Sequence, residues 1–343
     1  MPRLVLKFRE SAQVTMRVRL LAAVIWAIVC NVSPMLAQQK GQWVPGAYGL
    51  NAGVTPDPGF TYANLALNYS ASQLNDSNGN RILRNVAGTY SFWVDENIFY
   101  YVPKYKFLGG YFAPFVSVNL ANGSLVAALV GTNLSGNGGA EGLADTFVEP
   151  VNLGWHLKRA DVSAGYAFMV PTGRFTAGAS DNVGSGYWGH HITSGATFYI
   201  TKNKGTSANL FTDWEIHGGK SGTNLTPGQA FTMEWGLGQV LPLKKDFSRL
   251  LQLGLVGYDQ WQVSSNGGTI LVGPIQVPAS GIPYYSVHAI GFQSNYVLPV
   301  KGLTLFFKYE DEYRAKARPE GRTIVFGGSW TLRIPKPQAP QKP

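Results

Sequence analysis

Few side chains in this sequence are spaced for chemistry. His190-His191 followed by Ser194 is the nearest approach to a nucleophile with a base. In an extended segment, residues two or four apart share a face, so His190 and Ser194 point one way and His191 the other. No glycine-flanked elbow surrounds Ser194, so the sharp turn that exposes a nucleophilic serine is missing. A metal centre built from His191, His217 and His288 would need three segments far apart in sequence to converge. The reading is therefore no enzyme, no catalytic residue, no metal and no cofactor. The second group of polar residues is charged. Lys308, Glu310, Glu312 and Arg314 alternate with apolar residues in one segment, and Arg333, Glu234, Asp213 and Glu215 fall at similar positions elsewhere. Asp95 and Glu149 follow the same pattern. Charges of both signs on one strand face suit either an ion-pair mesh that fills a narrow lumen or a filter that sorts solutes by charge.

The elements that position these groups are strands. In 303–314, Leu303, Leu305, Phe307, Tyr309 and Tyr313 share one face, and Thr304, Lys308, Glu310, Glu312 and Arg314 share the other, with Phe306 as the exception. In 323–334, Ile324, Phe326, Trp330, Leu332 and Ile334 alternate with Thr323, Ser329, Thr331 and Arg333. Long strands with one apolar and one charged face fit between lipid and a wet lumen, because a Lys or Arg at the lipid midplane costs about 2–4 kcal/mol. Tyr100, Trp155, Tyr166, Trp235 and Trp330 read as lipid-facing or interfacial aromatics.

The same pattern recurs along the chain. Strands are expected over 60–69, 86–107, 111–120, 145–157, 162–171, 187–201, 207–217, 230–243, 250–263, 284–300, 303–314 and 323–334. Short turns at Leu108-Gly109-Gly110, Lys158, Lys202, Lys244 and Lys301-Gly302 alternate with longer polar loops around Asn78, Asn137 and Asn266. Transmembrane barrels have this asymmetry, with short periplasmic turns and longer outer loops. The expected fold is all-β: a transmembrane antiparallel barrel of about 12 strands with both termini periplasmic. Closure removes the exposed edges that such strands would otherwise present. A propeller would need a repeat of fixed period, and none is visible.

Composition agrees. Only 14% of the 343 residues are charged and 13% are aromatic, at a mean hydropathy of −0.03. Arg17 and Arg19, the apolar run Leu20–Cys30 and the small-residue stretch ending at Ala37 read as a signal peptide over 1–37, with Met16 as an alternative start. Cys30 leaves with it, so no disulfide or thiolate site is expected in the remainder. Removing Arg3, Lys7, Arg9, Arg17, Arg19 and Glu10 takes the formal charge from +9 to +5. No basic tract interleaved with aromatics supports nucleic-acid binding. The expected organisation is the signal at 1–37, an irregular lead-in over 38–59, the barrel over 60–334 and a Pro-rich periplasmic tail over 335–343.

The run from Asn295 to Leu303, then Lys308-Tyr309, Glu312-Tyr313, Arg318-Pro319-Glu320-Gly321 and Thr323, resembles the C-terminal block of the outer-membrane phenol meta-pathway degradation family. Asp76 to Ile82, Tyr101 to Tyr105 and Pro171-Thr172-Gly173 extend the resemblance over most of the chain. It implies a bacterial outer-membrane barrel for passive uptake of small aromatic or hydrophobic compounds, linked to aromatic catabolism. These motifs are turns and strand patterns, so they carry no binding residue over. The chain departs from barrels that stop on an aromatic residue, since Pro335–Pro343 follows the last strand. Expected partners are outer-membrane lipid, a small solute and the outer-membrane assembly machinery, with the barrel a monomer. The competing expectations are a structural or adhesive barrel with a plugged lumen and an outer-membrane lipid hydrolase.

Overall fold

A computed structural model describes residues 41–333, apart from 83, 85, 131–134, 180 and 273–274. The expected signal peptide over 1–37 and the tail over 335–343 lie outside the described residues. Twelve long strands, numbered here in chain order, make the barrel. They are β1 Gly59–Asn75, β2 Val86–Val102, β3 Phe115–Leu129, β4 Thr146–His156, β5 Ala160–Val170 and β6 Gly189–Tyr199. The rest are β7 Thr206–His217, β8 Ala230–Pro242, β9 Leu250–Gln262, β10 Ser286–Leu298, β11 Leu303–Lys316 and β12 Pro319–Arg333. Each pairs antiparallel with its neighbours in sequence, and β12 closes on β1 from Gly59↔Arg333 to Leu74↔Pro319. Closure pairs each of the twelve strands on both sides over at least part of its length.

The narrowest seam joins β3 to β4. They pair directly only from Phe115↔Glu149 to Ser117↔Phe147. Above that point β3 is covered by Ser135–Leu143, which folds back on it from Leu120↔Leu143 to Ala128↔Ser135. This corrects the expectation of a loop over 121–142. The segment is rich in glycine, but an in-register pair satisfies its backbone groups whatever the side chains. A second correction falls on 264–283, where Leu225–Thr226, Gly267–Val272 and Ile275–Pro278 form a small separate sheet.

Lys158, Lys202, Lys244 and Lys301 all lie in connections at one end of the barrel, and Asn78, Asn137 and Asn266 at the other. Gly302 makes the tight turn after Lys301 with φ +62°, a conformation open to glycine without strain. The outer surface carries the apolar belt, with Phe198, Leu237, Leu255, Phe292, Phe307 and Phe326 all exposed. Leu305, Phe307 and Tyr313 face out and Lys308, Glu310 and Glu312 face in, as the alternation predicts.

Three positions differ from that reading. Arg314 faces outward. The register slips between His288 and Ala289, which pair with Arg314 and Glu312, so Tyr313 is an extra residue and the alternation inverts beyond it. Asp95 also lies on the outer face, where its Oδ1 accepts from Asn64 Nδ2 at 2.5 Å. Tyr100 faces inward and packs on Phe115 at 4.5 Å between ring centroids. Trp155, Tyr166, Trp235 and Trp330 do lie on the outer side. Tyr166 and Trp330 are exposed, and Trp155 and Trp235 are half-buried.

Candidate functional site

The lumen holds part of the chain itself. Gly41 to Pro58 contains no strand and crosses the interior from the long-loop end to the start of β1 at the short-turn end. By sequence this stretch is only an irregular lead-in. Trp43 packs at a tilt on Phe211 at 5.1 Å between ring centroids, and Tyr48 stacks on the same ring at 4.0 Å. Trp43 Nε1 and the Tyr48 backbone N–H each donate to Glu234 at 2.8 Å. Farther down, the Leu50 N–H donates to Gln293 Oε1 at 3.1 Å and the Asn51 N–H to Asn209 Oδ1 at 2.9 Å. The segment's own peptide groups are therefore paired with side chains of the wall, as buried backbone requires.

Wall glycines make room for it. A Cβ on Gly195 would strike the Ala52 carbonyl oxygen, and one on Gly154 would strike the Thr55 hydroxyl. Both glycines sit on the lumen face of their strands. That placement, a glycine on the inward period of a strand, is the sequence signal that could have disclosed the close approach.

The expected lumen residues become specific in this light. Lys308 is 2% exposed; its Nζ donates to the Tyr48 carbonyl and lies 3.7 Å from Glu310 Oε2. Glu312 accepts from Tyr69 Oη at 2.8 Å, Tyr258 Oη at 2.9 Å and the Gly321 N–H at 2.6 Å. Arg318 Nη2 lies 3.4 Å from Glu312 Oε1, and its Nη1 donates to Gln260 Oε1 at 3.1 Å. Arg318 comes from the β11–β12 turn and appears in the sequence reading only as part of a family motif. Glu310 and Glu312 and the groups they meet, Lys308 and Arg318, are all buried. Asp213 and Glu215 are fully buried beside His191 and His217. Arg333 ends β12 opposite Gly59. The structure thus brings Glu234, Lys308, Glu310 and Glu312 around the crossing segment, groups Asp213 with Glu215, and leaves Arg314 outside.

His190 and Ser194 face away from the lumen; His190 Nδ1 meets Tyr166 Oη at 2.7 Å and Ser194 Oγ meets Thr212 Oγ1 at 2.7 Å. His288 pairs with Asp259 at 2.6 Å, on the outer side of the wall and apart from His191.

Between the crossing segment and the wall of β1 to β3 lies a cavity of about 490 Å³. Its apolar lining includes Leu65, Phe92, Ile98, Phe147 and Phe306, while Glu96 and Lys308 supply charge. Asp145 lies at its long-loop end and accepts from the Ser185 N–H at 2.7 Å and the Gly173 N–H at 3.0 Å. Burial raises the Asp145 carboxyl above its ordinary range, with the Ser185 and Gly173 hydrogen bonds pulling the other way.

A closed antiparallel barrel with an apolar outer belt and an internal cavity has the architecture of an outer-membrane β-barrel. Residues 71–326 match the family described as "Putative MetA-pathway of phenol degradation", and the chain belongs to that family. Its fold is similar to that of the COG4313 outer membrane channel from Pseudomonas putida F1. The TM-score is 0.63 at 13% identity, over 85% of this chain and 100% of that one. It is also similar to the beta domain of the Bordetella autotransporter BrkA, at TM-score 0.47 and 13% identity over 80% and 100% of the two chains. A Pseudomonas aeruginosa FadL homologue gives 0.35 at 10% identity, over 84% and 98%. At these identities the likeness is one of fold, carried by the first alone. No curated protein matches the chain.

Proposed function

We propose that this barrel admits small aromatic or hydrophobic compounds passively, through the cavity beside the crossing segment. The observation that carries this is the cavity itself. Its volume of about 490 Å³ lies within the usual range for small-molecule sites, and apolar side chains dominate its wall. In this reading the short turns face the periplasm and the long-loop end receives the solute. Lys308 both holds the crossing segment and lines the cavity, so its charge acts on solutes there, whereas Glu234, Glu310 and Glu312 act on them only when that segment moves. No covalent chemistry is assigned to the protein.

The test is binding and flux in the purified full chain. Isothermal titration with a small neutral aromatic such as toluene should show saturable binding, and proteoliposomes should take the compound up faster than protein-free ones. Ala47→Trp, which adds an indole at the cavity wall, should abolish both while leaving a folded barrel. A folded protein that neither binds nor passes the compound overturns the proposal. One observation favours a second reading: the hydrogen bonds of Trp43, Tyr48 and Leu50 to the wall suit a sealed structural barrel. That reading predicts no flux with any solute.

A further inference from the structure

Near the long-loop end, where Gly41 and Gln42 also line the cavity, three buried polar atoms lie close together without a hydrogen-bond partner. His191 on β6 is wholly buried, and its Nδ1 lies 3.1 and 3.0 Å from the two Asp213 carboxylate oxygens. In the neutral ring that pairing places the proton on Nδ1 and leaves Nε2 with a lone pair. Nε2 has no hydrogen-bond partner among the described residues. Glu215 on β7 is also wholly buried. Its Oε2 accepts from the Gln42 N–H, from the Trp43 N–H at 3.2 Å and from His217 Nε2 at 3.1 Å, while Oε1 is unpartnered. Gln42 belongs to the crossing segment. Its Nε2 donates to Ser185 Oγ at 2.8 Å and to the Tyr187 carbonyl at 3.0 Å. A carbonyl can only accept, so the amide orientation is fixed and Oε1 is the free atom; it too is unpartnered.

Gln42, Glu215 and His191 lie beside one another: the Gln42 N–H donates to Glu215 Oε2, and His191 and Glu215 pair directly across β6 and β7. One ligand atom each of His191, Asp213 and Glu215 all lie within 4.8 Å of one another. A Cβ on Gly189 would strike Gln42 Oε1 and lie 3.2 Å from His191 Nε2, and a Cβ on Gly41 would lie 2.6 Å from Glu215 Oε1. Side chains at these two positions would crowd the free oxygens of Gln42 and Glu215. A water molecule has two protons to donate, one too few for three acceptors, whereas a cation satisfies all of them. The geometry points to a divalent metal site, of the zinc class, formed by His191 Nε2, Glu215 Oε1 and Gln42 Oε1. An imidazole with carboxylate and amide oxygens suits such an ion, at about 2.0–2.2 Å per bond. Asp213 is the positioning residue behind the histidine, an arrangement found behind most metal-bound imidazoles. His217 is not a ligand: its Nδ1 faces the Gly228 carbonyl at 2.8 Å and its Nε2 faces Glu215. The ion would clip the crossing segment to β6 and β7, because Gln42 is on the segment and the other two ligands are on the wall.

The experiment uses the full chain without a histidine tag, purified in detergent and stripped with a chelator. Zn2+ uptake is counted by elemental analysis after dialysis, and Co2+ serves as a second probe through its visible absorption. The expected result is one ion per barrel, with the cobalt band showing nitrogen and oxygen ligation. His191→Phe should abolish uptake, and Asp213→Asn should weaken it about 10–100-fold as loss of a positioning carboxylate does. Gln42→Ala lies outside the wall, so the barrel still forms; it should weaken binding and shift the cobalt band. Heat-modifiable gel mobility verifies folding of each variant. Folded wild type that takes up neither ion overturns the site, as does uptake unchanged in both Gln42→Ala and a folded His191 variant.

Discussion

Glu234 provides the sharpest handle on the crossing segment. Its carboxylate accepts from Trp43 Nε1 and the Tyr48 N–H, each at 2.8 Å. Hydrogen bonds to a charged group contribute about 1.5–3 kcal/mol apiece, so Glu234→Ala weakens docking of the segment by about 3 kcal/mol at the low end. At about 1.4 kcal/mol per factor of ten, the undocked population rises about a hundredfold. Glu234→Gln keeps one acceptor and should give about the square root of that effect. The assay is open probability in a planar bilayer, with heat-modifiable mobility as the check on the barrel. Trp43→Phe retains the ring stacking and removes one donor. A double-mutant cycle between Trp43→Phe and Glu234→Gln should therefore show coupling. An unchanged open probability in folded Glu234→Ala would refute the reasoning, since the segment would then be held by contacts outside this pair.

Other expectations follow from placement. Phe307→Arg puts a charge on the lipid face and should cost about 2–4 kcal/mol near the midplane, read as loss of heat-modifiable mobility. Arg314→Leu should be tolerated, because Arg314 is exposed on the outer side. Gly195→Val should displace the segment near Ala52 and raise its protease sensitivity while the barrel stays folded. Asp145 has a raised folded-state value, so its contribution is full below the unfolded value, near 3.9, and is lost as pH rises through the folded one. The stability difference between wild type and Asp145→Asn should accordingly favour wild type more toward acid pH, measured by denaturant titration; a pH-independent difference would contradict this. Cysteines at positions 158, 202, 244 and 301 should resist an impermeant label on intact cells, and those at 78, 137 and 266 should react. The opposite pattern would reverse the proposed orientation.

Where the wall separates lipid from polar side chains, the two-residue period discloses it. β11 shows this for Leu305, Phe307, Lys308, Glu310 and Glu312. The period is less informative on β2, where polar and apolar residues occur on both faces: Asp95 and Asn97 face out and Glu96 faces in. Tyr100 and Phe99 differ by one position, and only packing against Phe115 sends Tyr100 inward. Arg314 departs from the alternation because a bulge adds one residue without any mark in the pattern. The crossing segment was hidden for another reason. Its contacts are between residues far apart in sequence, such as Trp43 with Glu234, and local periodicity carries no such information. Likewise His191 and Glu215 come together because β6 and β7 pair in register, His191 directly opposite Glu215. That adjacency follows from the hairpin between them, yet its use depends on Gln42 arriving from elsewhere.

The segment from Gly41 to Pro58 runs without interruption into β1 at Gly59. Its release from the wall is therefore never a dissociation. A short flexible tether holds its end at an effective concentration on the order of millimolar, so redocking is intramolecular and independent of protein concentration. A free peptide of the same sequence, added at micromolar levels, would lose that competition. Openings of the lumen should be brief and self-terminating, with lifetimes set by the tether rather than by any closing signal. Cutting the chain near Pro58 would convert a transient state into a lasting one.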